Sequence, residues 1–151
     1  MDSFETAAIG LHYVFYELAR DKRVQDKLRK EILENLDEEG NIPYEKLLEM
    51  QYLDQVYYEA LRLNPPLTYT TKECSDSYEL DNGKGHKFQM GKKSAALISI
   101  YSLHRDAEYY PHADTFEPER FNVEHGGVKA FKDKCVLLPF GEGPRICLGI
   151  K

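Results

Sequence analysis

Apolar residues at the start of the chain recur at steps of three and four: Phe4, Ala7, Ala8, Leu11, Val14, Phe15 and Leu18. Such spacing forms one broad face of a 3.6-residue period and predicts a helix from Phe4 to Leu18. A second helix is predicted over Lys22 to Leu36, where Val24, Leu28, Ile32 and Leu36 repeat every four residues beneath a mixed-charge, solvated outer face. The run DEEGN ends it. Pro43 is placed to open a short helix through Met50, because its fixed φ suits a first turn. A further helix is predicted from about Leu53 to Leu63, where NPP stops it.

The second half changes period. LTYTTKE and SAALISIY are rich in β-branched and aromatic residues, DNGKG between them is turn chemistry, and HKFQM reads as a short strand, so a small sheet is expected. Beyond His104 the chain is punctuated by proline and loop-like through Phe121, and Gly126 to Lys134 shows no clear period. A coil of that length usually wraps something. The pattern gives a mainly α fold with a small β-sheet, an α+β class. No repeat, low-complexity tract or linker divides residues 1–151 into two domains.

Composition narrows the function classes. A chain of 151 residues matches one ordinary core, and a formal charge of -6 without a long basic run argues against nucleic acid as a partner. The longest apolar run, Ala95 to Tyr101, is too short to cross a bilayer, and MDSFETAAIG lacks the basic start and cleavage site of a signal peptide. Cys74, Cys135 and Cys147 are odd in number and widely spaced, which fits free thiols in a reducing environment. His12, His104, His112 and His125 sit at no metal-ligand spacing and His86 stands alone, so each reads as a solvated or core histidine.

Two features hold candidate chemistry. Glu-x-x-Arg occurs four times, at Glu17/Arg20, Glu59/Arg62, Glu117/Arg120 and Glu142/Arg145, and any one pair fits a surface contact or chance. Glu59/Arg62 is set apart by the order of the segments downstream of it: a helix stop at Pro65 and Pro66, a small sheet, FEPERF at Phe116 to Phe121, and then LLPFGEGPRICLGIK. In that closing stretch two glycines and a proline surround Arg145 and Cys147 just where a helix is ready to start. The thiol is a small buried hydrophobe or a ligand.

This ordered set resembles the cytochrome P450 superfamily of haem-thiolate monooxygenases, and most closely the style of its insect microsomal members. The closing stretch matches the superfamily's Phe-x-x-Gly-x-Arg-x-Cys-x-Gly signature at Phe140, Gly143, Arg145, Cys147 and Gly149. The resemblance implies that Cys147 is the axial ligand of haem b (iron protoporphyrin IX), with Gly141 also at the cofactor. Thiolate ligation favours O–O cleavage. Arg145 would meet a haem propionate, Phe140 would shield the sulfur, and Gly143 and Gly149 would let the backbone approach the porphyrin. A helix beginning at Leu148 would aim free N–H groups at the sulfur. Glu59 and Arg62 would form a buried triad with Arg120, and Leu67, Thr68, Tyr69, Thr70 and Thr71 would line the substrate pocket.

Glu5 and Thr6 correspond to the superfamily's proton-relay acid and hydroxyl. Its preceding Ala-Gly is Asp2-Ser3 here, and Asp2 with Glu5 also fits a capping-box-like helix start. Lys129, Lys132 and Lys134 fall where relatives dock an electron donor, with Asp133 and Glu142 diluting the patch. The implied activity is insertion of one oxygen atom from O2 into a small lipophilic substrate. NADPH would supply the electrons through NADPH-cytochrome P450 reductase, with cytochrome b5 as a second donor. The implied setting is the cytoplasmic face of the endoplasmic reticulum membrane, reached through an N-terminal anchor. Superfamily members are much longer, so the chain is expected to be the C-terminal part of one such domain, a truncated fragment inactive by itself. A non-catalytic remnant or interaction module without haem stays open, as does a thiol enzyme using Cys147 as nucleophile.

Overall fold

The computed structural model describes residues 3–150. Asp2, and with it the capping-box reading of Asp2 and Glu5, lies outside the described residues, as does Lys151. Four helices fill the first half: α1 (Ser3–Arg20), α2 (Lys22–Glu34), α3 (Tyr44–Glu49) and α4 (Gln51–Leu63). The starts of α2, α3 and α4 have legible reasons. Asp21 caps α2 by accepting the Val24 N–H at 3.1 Å, and Pro43 precedes α3. The first N–H groups of α4 are satisfied from a neighbouring helix. The Glu31 carboxylate of α2 accepts the Tyr52 and Leu53 amides, each at 2.8 Å, and its negative charge suits the positive end of α4.

The inward faces of α1, α2 and α4 meet in a core of Val14, Val24, Leu28, Tyr52, Val56 and Ala60. Gly10 lets α1 come close to α4, since a Cβ there would stand 3.4 Å from the Leu61 side chain. A second core holds Tyr110, Phe121, Val136 and Leu137, with Phe131 stacked on Tyr110 and edge-on to Phe121. Helix α4 lies between the two, and its buried residues include both Val56 and the charged Glu59 and Arg62.

The β structure is two separate antiparallel pairs, where the sequence pattern leads to a single small sheet. β1 (Tyr69–Glu73) pairs with β4 (Ala95–Ser99) in the register Tyr69 opposite Ser99, and β2 (Tyr78–Asp81) pairs with β3 (Lys87–Met90) as a hairpin inserted between them. α5 (Ile100–Leu103) follows β4 directly, capped by the Ser99 side chain. Three regular pieces then interrupt the coil: 3-10 turns over Pro118–Phe121 and Val123–His125, and α6 (Gly127–Asp133), where no period is visible in the sequence. Glu119 fastens the first of these to the helices. Its Oε1 accepts from Arg23 at 2.9 Å, Lys27 at 3.0 Å and the Tyr52 hydroxyl at 3.2 Å. Burial pushes the Glu119 carboxyl up, but the bond from its own amide and the Lys27 and Arg23 charges outweigh it and hold the group below the usual range.

Candidate functional site

Glu59 and Arg62 stand one turn apart on the inner face of α4, and neither exposes any side-chain surface. The pair is bidentate: Arg62 Nε donates to Glu59 Oε2 at 2.7 Å and Nη2 to Oε1 at 2.8 Å. Arg62 then reaches across to the coil, donating to the carbonyls of His104 and Ala113 at 2.7 Å each and of Thr115 at 3.3 Å. The Tyr110 ring lies 5.0 Å from its guanidinium carbon. Glu59 Oε1 also accepts the Glu117 amide at 3.0 Å and Arg120 Nε at 3.4 Å. Buried ions survive only when their hydrogen-bonding capacity is filled, and both of these are tied to several partners. Arg120 further binds the Pro111 carbonyl at 2.9 Å and the Glu117 carboxylate at 3.2 Å. Of the other Glu-x-x-Arg matches, Glu17 and Arg20 touch at 3.5 Å with Arg20 largely in solvent.

The segment toward Cys147 leaves the second core. Val136, Leu137 and Leu138 are buried, the Tyr110 hydroxyl donates to the Val136 carbonyl at 2.9 Å, and His104 Nε2 accepts the Leu138 amide at 2.8 Å. The chain then turns at Gly141 and Gly143, whose φ values of 73° and 84° are open to glycine at no steric cost. The loop closes on itself through the Cys147 amide, which donates to the Phe140 carbonyl at 2.9 Å. Phe140 is stacked on Tyr57 and edge-on to Tyr58, both on α4. Burial, with the Tyr58 and Cys147 charges added, pushes the Tyr57 phenol up. Cys147 itself is exposed, and the expected helix after it is a 3-10 turn over Leu148–Ile150.

Among the described residues no cluster of three or more His, Cys, Asp or Glu could hold a bare ion. A lone exposed thiol in a glycine loop therefore suits a group that brings its remaining metal ligands with it, as a porphyrin does. Nothing lies within 4 Å of a Cβ built on Gly141 or Gly143, so a flat ligand has room against that backbone. Arg145 is exposed and without a hydrogen bond or ion pair among the described residues. The other two cysteines differ. Cys74 is half-buried against the Met90 sulfur, and Cys135 sits past the end of α6 with a φ of 54°.

The helix α1 face and the segment after α4 form a cleft of about 530 Å³ lined by Ala8, Ile9, His12, Tyr13, Pro65, Pro66 and Thr68. Of Leu67 to Thr71 only Thr68 lines it. Tyr69, Thr70 and Thr71 belong to β1, and Leu67 is exposed just before it. Glu5 is exposed and Thr6 half-buried, and both precede the lining residues on α1. The lysines before the loop are less free than their sequence suggests. Lys132 donates to the Tyr58 hydroxyl at 2.7 Å and Lys129 pairs with Asp133.

His104 is a buried residue beside the site, one that spacing did not single out. It is a core histidine, fully buried, and its Nδ1 lies 3.2 Å from the Arg62 carbonyl. No local signal marks it.

Comparison with known proteins gives one family. The model of the family described as Cytochrome P450 matches residues 1–151. A Drosophila melanogaster protein named "Probable cytochrome P450 28a5" is 37% identical over 151 residues, covering 100% of this chain and 30% of the relative. The cytochrome P450 9e2 of Blattella germanica is 39% identical over 148 residues, 97% of this chain and 27% of the relative. Cytochrome P450 6a9 of Drosophila melanogaster is 39% identical over 150 residues, 98% of this chain and 29% of the relative. The chain thus spans less than a third of the length of these relatives.

Proposed function

The chain belongs to the cytochrome P450 family, and from that premise we propose that it forms the C-terminal part of a single haem-thiolate monooxygenase domain. The whole domain inserts one oxygen atom from O2 into a small lipophilic substrate. Haem, when bound, supplies the oxygen-activating chemistry, and a thiolate ligand favours O–O cleavage. The chain's own contribution is to hold, orient and protonate. Cys147 offers the sulfur, and Arg145 has the reach and the charge for a propionate. Phe140, Gly141, Gly143 and Gly149 shape the loop against the ring.

Thr6 and Glu5 move protons toward the haem from α1. Leu67 to Thr71 contribute to the substrate pocket, Thr68 most directly, because it already faces the α1 cleft. Glu59, Arg62 and Arg120 are structural: they hold the coil on which the loop is built. Electrons come from NADPH through its P450 reductase, with cytochrome b5 as a second donor. Among the described residues no helix is long and apolar enough to cross a membrane, so residence at the endoplasmic reticulum membrane depends on sequence outside these helices.

The observation that supports this reading best is the exposed Cys147, closed into its loop through its own amide and rooted beside a fully buried ion pair. The test uses a chimera in which this chain replaces the matching segment of the Blattella germanica relative, so that it is completed at both ends. Cys147→Ser is expected to abolish the red-shifted Soret band of the reduced carbon monoxide complex, while Cys74→Ser and Cys135→Ser retain it. A retained band in the Cys147 variant removes the assignment, and a chimera that folds without taking up haem supports the non-catalytic remnant instead.

A further inference from the structure

Two long stretches of coil meet at His104. Its backbone carbonyl accepts from Arg62 Nη1 at 2.7 Å, and its ring Nδ1 lies 3.2 Å from the carbonyl of the same Arg62. The two residues are therefore clasped in both directions, side chain to main chain each way. On the far side of the ring, Nε2 is 2.8 Å from the Leu138 amide nitrogen. An amide N–H can only donate, so Nε2 must hold its lone pair there. The one remaining ring proton then sits on Nδ1 and is donated to Arg62.

Leu138 is a consequential place to hold. It is the last buried residue before the loop, and its carbonyl accepts the Gly141 amide at 3.1 Å to begin the turn. The next residue, Pro139, has no N–H to anchor itself. The residue after that, Phe140, offers the carbonyl to which the Cys147 amide is bonded at 2.9 Å. From α4 to the sulfur-bearing residue the path runs from the Arg62 carbonyl through the His104 ring to the Leu138 amide, and then through Phe140 to Cys147.

We propose that His104, as a neutral ring protonated on Nδ1, is a positioning residue that fixes the root of the Cys147 loop against the buried Glu59–Arg62 pair. It touches no reacting atom and acts through Leu138. Loss of the Arg62 bond frees the ring from α4, and loss of the Leu138 bond frees the loop from the ring. The second loss is the one that reaches Cys147. The importance of that loop rests on the reading of Cys147 as a haem ligand.

The test begins with the unaltered chain. Nitrogen-15 spectra of the His104 imidazole are expected to show a protonated Nδ1, an unprotonated Nε2 and a scalar coupling from Nε2 to the Leu138 amide. A ring protonated on Nε2 at neutral pH overturns the proposal, and this measurement needs no variant that folds. Two substitutions then separate the bonds. His104→Gln can place an amide oxygen where Nε2 stands and accept from Leu138, whereas His104→Asn reaches only Arg62. Hydrogen exchange at the Cys147 amide is expected to speed up by about tenfold or more in the Asn variant and to stay within about threefold in the Gln variant, the scale of one buried hydrogen bond lost or kept. Equal exchange in the two variants overturns the proposal even where both melt early, because a histidine that merely fills the core would move both alike. Cys147→Ser leaves this exchange pattern intact, so failure of the haem spectrum bears on the ligand assignment alone.

Discussion

Truncating Arg62 to alanine should be among the most costly single changes in the chain, and the structure says why. Glu59 Oε2 would lose the donor that holds it, Arg62 Nε at 2.7 Å, while Oε1 would keep only the Glu117 amide and the longer contact from Arg120. The carbonyls of His104, Ala113 and Thr115 would lose the same guanidinium. A carboxylate stripped of its partner in a buried site costs roughly 3 to 5 kcal/mol. For a chain of this size that corresponds to a fall in melting temperature of about 6 to 20 °C. The control is Arg20→Ala. Arg20 is 63% exposed and only 3.5 Å from Glu17, and Glu17 keeps the Asn64 amide at 2.9 Å. An exposed pair of this kind contributes about 1 kcal/mol or less.

Urea unfolding followed by circular dichroism on the purified chain measures both variants on one scale. A third variant sharpens the reasoning. Replacing Glu59 and Arg62 together by leucine and methionine removes the uncompensated charge, and the double change should cost less than the sum of the two single ones. Equal losses for Arg62→Ala and Arg20→Ala would refute the argument that α4 and not α1 holds the structural pair.

Further predictions concern pH and proton delivery. Burial, with the nearby Arg62 and Arg105 charges, holds the His104 ring down to about 4 from an ordinary value of 6.5, against the pull of its bond to the Arg62 carbonyl. Between those values the unfolded chain binds the extra proton. Stability is therefore full above about pH 6.5 and falls on acidification toward pH 4, by about 3 kcal/mol if the group is isolated; His104→Gln should flatten that slope, and an unchanged slope in urea titrations across this window would contradict it. In the chimera, Thr6→Ala should keep haem content and substrate binding while raising the share of reducing equivalents lost as peroxide, and unchanged coupling would place proton delivery elsewhere.

The helices were legible because their apolar faces repeat at the helical period over several turns. Val24 and Leu28 on α2 are both buried, as the four-residue spacing requires. What escaped was short or uniformly wet. Every residue of β2, Tyr78–Asp81, is exposed, so no inward-facing alternation marks it as a strand. α6 opens on the second of two glycines and its periodic signal is confined to Val128 and Phe131, too few positions to declare a period. Glu59 and Arg62 were legible for another reason. Their spacing is common in this chain, and only the order of proline stop, strands and FEPERF set them apart. His104 had neither period nor order to betray it, since the partners of its ring are one carbonyl on α4 and one amide before the glycine loop.

These partners point to how an irregular chain can be rigid. Residues 104–121 and 136–147 contain little regular secondary structure, and their backbone bonds are scattered turn contacts that form no continuous ladder. Side chains take the place of a ladder. Arg62 serves three carbonyls, Arg120 the Pro111 carbonyl, Tyr110 the Val136 carbonyl and His104 the Leu138 amide. A strand in the same place would need many residues to make as many bonds and would fix a flat surface, whereas this arrangement needs four side chains and leaves the backbone free to follow a curve. The cost is concentration of risk, because each of the four holds several parts of the chain at once. The buried ion pair is then understood less as a source of stability, which such pairs seldom supply, than as the frame on which the coil leading to Cys147 takes one shape.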